Sequence, residues 1–563
     1  MTFSTTQFKD IDPVAPEMET LGLLTEGFMV GLQAANSLEE CRPFLRHWDE
    51  VRNSVESYGA MVELHFYQDT TNADYKAAQD AWDKKKPRWT ELEVQLKRLL
   101  LAHPLRKELE KELGAQAFAL WESEALAFDS ALKEDLTTES GLEANFTELH
   151  ASAEIEFQGE TYNLSTITKV TQDADRDVRH GAESAMWDWY AAHGHVYDDL
   201  FDSMVKLRHG MARKLGMQDF VEMGYRRMSR VDYDRADVER FRASIVADVV
   251  PLANELMTRK AGALGVDQVM AWDEVVHDKL GNPKPQGDRA WMVDRARDMF
   301  DKMGCGLDEF FKLMADGGFL DLDVRKGKSG GGFCTAFPTE GMPFIFANFN
   351  GTKGDVEVLT HEIGHAFQCF NSRELYPCDY HWPTYESCEV HSMGLEFLTY
   401  PEMERFFGDE ADRFRRVHMT EAITFLPYGA AVDHFQHLIY SKPDASPAER
   451  HDMWLEMERT YMPWRQWGDL AYARKGGRWQ RQSHIYTSPF YYIDYVLAQT
   501  CALQLWDAAE QDRAAAMRSY VDLCKRGGAQ PFQALVRGAG LRSPFEEGCL
   551  TAVVDRARGM LSL

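Results

Sequence analysis

The sequence predicts a mostly α-helical protein, and three observations carry that expectation. Apolar residues recur at helical spacing through most of the 563 residues. β-type patterning is confined to two short runs, near residues 155–164 and 343–350. The stretch around His361-Glu362-Ile363-Gly364-His365 itself reads as a buried helix, because Val356, Leu359, Ile363 and Phe367 are apolar at helical intervals. Asp355 is its expected N-cap, and Glu357 falls in the first turn, where a helix favours negative charge.

In chain order, residues 15–150 read as helices. Leu92, Leu96, Leu99 and Leu100 mark one that His103-Pro104 ends. Alternation around Gln158-Gly159 predicts a hairpin with a two-residue turn. Residues 174–230 return to helix, with Trp187, Trp189 and Tyr190 as core. Residues 281–287 are a loop by composition, and Trp291, Met292, Ala296, Met299, Phe300 and Met303 form the next apolar stripe, ended by Gly304. Residues 327–332 are glycine-rich, but a phosphate loop needs another glycine where Leu322 stands, so a flexible loop beside the site is expected. Residues 343–350 predict a strand, and everything after 355 is helical. Without repeats or linker-like stretches, the parts of the chain should pack against one another.

A net charge of −28 repels phosphates, which argues against nucleic acid or an anionic membrane as partner. Nine cysteines without close pairing suit a reducing compartment. Residues 1–10 lack a basic-then-apolar leader, and no apolar run approaches a membrane span. A cytoplasmic protein is expected.

The chemistry concentrates at His361 and His365. Four residues apart on a helix, they share a face and can offer two imidazole nitrogens to one metal ion, while Glu362 can take a proton from a metal-bound water. Catalytic zinc usually has three protein ligands and one open position, so a third ligand is required. The extended motif with a glycine and a third histidine is absent, because those positions are Gln368 and Asn371. Glu389, 24 residues after His365, is a good third ligand; Glu396, two helical turns on, could orient a ligand imidazole; Glu386 competes for the ligand role. His434 and His437 share a helix face, but without a third ligand they read as ordinary hydrogen-bonded histidines. Cys369, Cys378 and Cys388 lack zinc-site spacing and read as small buried hydrophobes. The glycosylation sequons at Asn145, Asn163 and Asn350 carry no weight in a cytosolic chain.

These segments resemble the thimet oligopeptidase/oligoendopeptidase F family of zinc peptidases, most closely its Pz-peptidase branch. The likeness rests on Phe346-Ala-Asn-Phe-Asn350, His361-Glu-Ile-Gly-His365, Glu389-Val-His-Ser-Met-Gly-Leu-Glu396 and the block from His484 to Tyr495. An upstream stretch, Glu154 through Arg179, agrees, so the resemblance covers roughly residues 150–500. Gln368 and His391 depart from residues common in the family.

The resemblance implies a two-lobed helical metallopeptidase with a deep substrate channel and a small β-sheet near the zinc site. An N-terminal helical lobe would span 1–150. The catalytic region would span 151–563, with the zinc site at 361–396 and a His/Tyr block at 484–495. One Zn²⁺ per chain is expected on His361, His365 and Glu389, with Glu362 as general base. His484 and a tyrosine (Tyr495 first, then Tyr492 and Tyr491) would stabilise the oxyanion. The strand at 343–350 would pair with an extended peptide. The implied activity is endopeptidase cleavage of oligopeptides. The alternatives are a peptidyl-dipeptidase, which needs a basic residue for the substrate's C-terminus, and a catalytically silent peptide-binding helical protein.

Overall fold

The helical period of the N-terminal third resolves into long helices at Met18–Ala34, Leu38–Gln68, Ala73–Leu101, Ala115–Ala127 and Lys133–Ala151 in a computed structural model that describes residues 6–563. Their starts follow from capping side chains: Ser37 accepts from the Glu40 N–H, and Asn72 from those of Asp74 and Tyr75. These helices bury their own apolar clusters. One gathers Phe28, Leu32, Trp48, Leu96, Phe118 and Trp121; another joins Val55, Trp82, Trp89 and Leu92. A third, smaller one joins Val94, Ala125 and Phe128, whereas Leu132 and Phe146 belong to the large core of the molecule.

The N-terminal helices are fastened to the connector between the motif helix, Gly354–Ser372, and the next long helix, Tyr385–Leu398. Arg52 donates to Asp379 at 2.7 Å and to Asp49 at 2.5 Å, and the Trp121 indole donates to Asp379 at 2.9 Å. The Tyr380 hydroxyl donates to the Leu113 carbonyl at 2.6 Å. Gly114, at φ +92°, allows that approach, since a Cβ there would lie 2.4 Å from the Tyr380 oxygen. Arg52 and Asp379 are both buried, so losing either would strand a charge in the interface.

The expected hairpin forms from β1, Ile155–Phe157, and β2, Glu160–Tyr162. Gln158 and Gly159 both have positive φ, as its two-residue turn requires. The second sheet contains β3, Leu320–Asp323, β4, Phe333–Phe337, and β5, Met342–Phe349, in the order β3-β5-β4. β3 runs parallel to β5, and β4 antiparallel. This corrects one expectation. The strand over 343–350 is central and paired on both sides, so it has no free edge for a peptide; β4 has one.

The glycine-rich loop is also more constrained than its composition predicts. Lys328 donates to the carbonyls of Asp321, Asp323 and Ala347, the Ser329 N–H donates to Tyr67, and Asn348 donates to Ser329 and Gly331. Trp187, Trp189 and Tyr190 are core, as expected. Among the described residues no helix is long and apolar enough to cross a membrane.

Candidate active site

The motif helix and the Tyr385–Leu398 helix touch almost backbone to backbone. At Gly364 an added Cβ would lie 2.6 Å from the His391 carbonyl oxygen and 2.6 Å from the Ser392 Cα. That closeness brings Glu389 to the two motif histidines. Its Oε2 lies 3.2 Å from His361 Nε2 and 3.4 Å from His365 Nε2. A tetrahedral ion with bonds of about 2.0–2.1 Å sets its donors about 3.3 Å apart, so the set fits such an ion. Glu386 is not part of this group. It accepts from Thr384 Oγ1 at 2.9 Å, and burial, then the charge of Asp494, push its carboxyl well above the usual range.

Glu396 orients the first histidine. His361 Nδ1 donates to its Oε1 at 2.7 Å, which leaves the His361 Nε2 lone pair facing the other donors. His418 Nε2 donates to Glu396 Oε2 at 2.7 Å, and Tyr400 donates to His418 Nδ1 at 2.7 Å. Burial alone would raise the Glu396 pKa, but the bonds from His361 and His418 outweigh it and hold it at about 2. Asp355 does not cap the helix as expected. The helix starts two residues earlier, at Gly354, and the Asp355 carboxylate, inside the first turn, accepts the N–H groups of Asn350 and Gly351 and ties the end of β5 to the motif.

Glu362 is 6 % exposed, and its Oε2 has no protein partner. Burial raises its pKa. The start of β4 passes close by: a Cβ on Gly332 would stand 3.6 Å from Glu362 Oε1. This leaves a buried carboxylate with a free oxygen beside the two histidines and the start of a strand.

The His/Tyr block comes to the same place. Tyr491 donates to Glu389 Oε1 at 2.5 Å. Gln482 Nε2 donates to His484 Nδ1 at 2.9 Å, which leaves the His484 Nε2 as the N–H, 3.5 Å from the Tyr495 oxygen. Burial lowers the His484 pKa to about 4, so the ring is neutral at pH 7. Tyr492 makes ring contacts with Tyr428, His484 and Tyr495.

The other singled-out residues lie elsewhere. His391 is buried behind the Glu389 helix and donates Nδ1–H to Ser387. His434 bonds Tyr461, and His437 bonds Tyr225 and Arg242, which accounts for both without a metal. Cys369 and Cys388 are buried thiols. Cys378 adjoins Asp49 and Asp379, but Arg52 already neutralises those carboxylates.

Glu56 and Glu63 on the Leu38–Gln68 helix are exposed, yet desolvation raises both pKa values, that of Glu56 to about 7. Tyr385 is 47 % exposed, and burial raises its pKa too. Sequence reasoning missed His418, Tyr400 and Tyr385. Gln482 was within its reach, because it lies two residues before His484 and carries a side chain able to fix a tautomer.

Two family profiles match the chain: the Peptidase M3 N-terminal domain over residues 8–128 and Peptidase family M3 over residues 307–555. The structure superimposes on Pz peptidase A, solved with an inhibitor, with a TM-score of 0.96 and 39 % identity over 99 % of both chains. A Bacillus anthracis protein described provisionally as an oligoendopeptidase F gives 0.92 and 38 %, covering 100 % of this chain and 99 % of that one. A curated relative, the group B oligopeptidase PepB of Streptococcus agalactiae serotype III, is 23 % identical over 265 residues, 46 % of this chain and 42 % of that protein. The likeness that the residues around His361, Glu389 and His484 suggested thus extends from end to end, and the chain is a peptidase belonging to peptidase family M3.

Proposed function

We propose that the protein is a zinc-dependent endopeptidase acting on oligopeptides in the cytoplasm. The observation that carries this reading is the convergence of His361, His365 and Glu389 beside the unpartnered carboxylate of Glu362. A Zn²⁺ held by these three residues supplies Lewis acidity and a nucleophile at neutral pH. Glu362 takes a proton on its free oxygen and delivers it to the leaving nitrogen. The neutral His484 Nε2–H and the Tyr495 hydroxyl donate to the carbonyl oxygen as charge builds on it. Tyr492 is the second choice as donor. Tyr491 is the third, since its hydroxyl already serves Glu389.

An extended peptide pairs with the free edge of β4, which begins against Glu362, so the strand feeds the scissile bond to the base. The N-terminal helical lobe closes the space opposite and limits substrates to oligopeptides. The acids Glu56 and Glu63 on that wall do not suit capture of a C-terminal carboxylate, which favours internal cleavage over dipeptide release. All nine cysteines are free, in keeping with a reducing compartment, and the net charge of −28 disfavours nucleic acid as partner.

The test digests a random peptide pool and unfolded casein with the zinc-loaded wild type and with Glu362→Gln, and maps products by mass spectrometry. Internal cuts in short peptides, slow cutting of casein, and a loss of about 10²–10⁴ in turnover with zinc retained in the variant are expected. Uniform release of C-terminal dipeptides, or a fully active variant, would overturn the reading.

A further inference from the structure

The block carrying His484 and the tyrosines turns on Phe490, whose backbone is left-handed at φ +70°. A bulky side chain avoids that region, so the surroundings must impose it. Both backbone polar groups of Phe490 are held by buried side chains from elsewhere in the chain. Its N–H donates to Gln436 Oε1 at 2.8 Å, and its carbonyl accepts from Arg230 Nη2 at 2.5 Å. Its ring is fully buried among Tyr225, His437 and Tyr440, against Gly224, where a Cβ would lie 2.4 Å from the ring.

The two holding groups are themselves fixed. Arg230 Nη2 also donates to Asp494 at 2.9 Å, and both of those side chains are fully buried. Gln436 precedes His437, which Tyr225 and Arg242 brace. The next residue after Phe490 is Tyr491, whose hydroxyl reaches Glu389 Oε1 at 2.5 Å. Neither Arg230 nor Gln436 bonds to Glu389, His361 or His365.

We infer that Arg230 and Gln436 are positioning residues: together they hold Phe490 left-handed and so aim the Tyr491 hydroxyl at Glu389. The turn joins the Ser483–Thr487 helix to the Tyr492–Gln511 helix. Relaxation of Phe490 to negative φ would swing Tyr491 away while leaving the donors on the motif helix in place. Only the kinetic readout of this inference rests on the peptidase reading.

The experiment combines Arg230→Lys, which keeps a charge beside Asp494 but draws the donor back from the Phe490 carbonyl on a shorter side chain, with Gln436→Met, which keeps the shape but loses the acceptor. Each is made in the wild-type and the Tyr491→Phe background. In the wild-type background kcat should fall about tenfold with KM nearly unchanged; in the Tyr491→Phe background the further loss should be less than about twofold, because nothing remains to aim. In parallel, 3-fluorotyrosine at position 491 should give one sharp ¹⁹F resonance, which broadens or divides in Gln436→Met.

Equal losses in both backgrounds, or an unchanged ¹⁹F spectrum, would mean that the two residues only pack the core. If Arg230→Lys fails to fold, Gln436→Met decides alone. If the unsubstituted protein cleaves no peptide, the peptidase reading fails, and the ¹⁹F comparison still decides this one.

Discussion

In the motif helix, His361 and His365 face Glu389 because residues four apart share one side of a helix. In the 484–495 block, Tyr491 reaches the same carboxylate across a left-handed residue whose conformation is imposed by Gln436 and Arg230. The first arrangement is a property of five consecutive residues. The second needs side chains brought in from 54 and 260 positions away. One place in the fold is therefore supplied by a local rule and by a long-range one, and the two should fail differently when disturbed.

The largest effect belongs to the local side. Glu389→Ala should lose the metal and with it essentially all turnover, whereas Glu386→Ala should keep one zinc per chain; stoichiometry by atomic absorption after dialysis measures both. Metal lost only from Glu386→Ala would reverse the assignment. On the long-range side, His484→Ala and Tyr495→Phe should keep the metal and lose about 10²–10³ in kcat, with KM nearly unchanged. Near-normal kcat in two well-folded variants would make the block structural and leave the comparison with one functional arm. Because burial holds the His484 pKa near 4, its ring stays neutral at pH 6, and His484→Gln should lower the acid limb of the pH profile without moving it.

The smallest effect concerns the wall opposite. Burial raises the Glu56 pKa to about 7. A carboxyl that holds its proton more tightly when folded contributes stability that is full below its unfolded pKa of about 4 and is lost as pH rises through the folded value. Glu56→Gln removes that loss, so its melting temperature relative to wild type should climb between about pH 4 and pH 7 and level off above. A difference that stays flat would mean that Glu56 titrates as in open water and that the wall faces no enclosed space.

The same contrast explains what could be read from the sequence. The helices of residues 15–150, the hairpin at Gln158-Gly159, the stripe ending at Gly304 and the His361/His365 pair each depend on spacing within a dozen residues, and each appears where expected. The bond from His418 to Glu396 and the grip on Phe490 depend on which helices become neighbours, which periodicity does not encode. Two local readings also failed for non-local reasons. Asp355 looked like a cap, but the preceding loop folds back onto its carboxylate. Residues 327–332 looked flexible, but Tyr67 and β5 bind the loop.

The notation H-E-x-x-H leaves two letters free, and in this chain the second of them is not. Gly364 is where the motif helix meets the helix carrying Glu389, with less than a methyl group's room between them. Any other residue would have to wedge the helices apart, and a wedge of an ångström or two exceeds what a first coordination shell tolerates. The spacing of His361, His365 and Glu389 is thus recorded in the sequence as a side chain left out. Substitution at that one position would part His361 and His365 from Glu389 as surely as a change to one of the three, although the glycine contributes no donor atom.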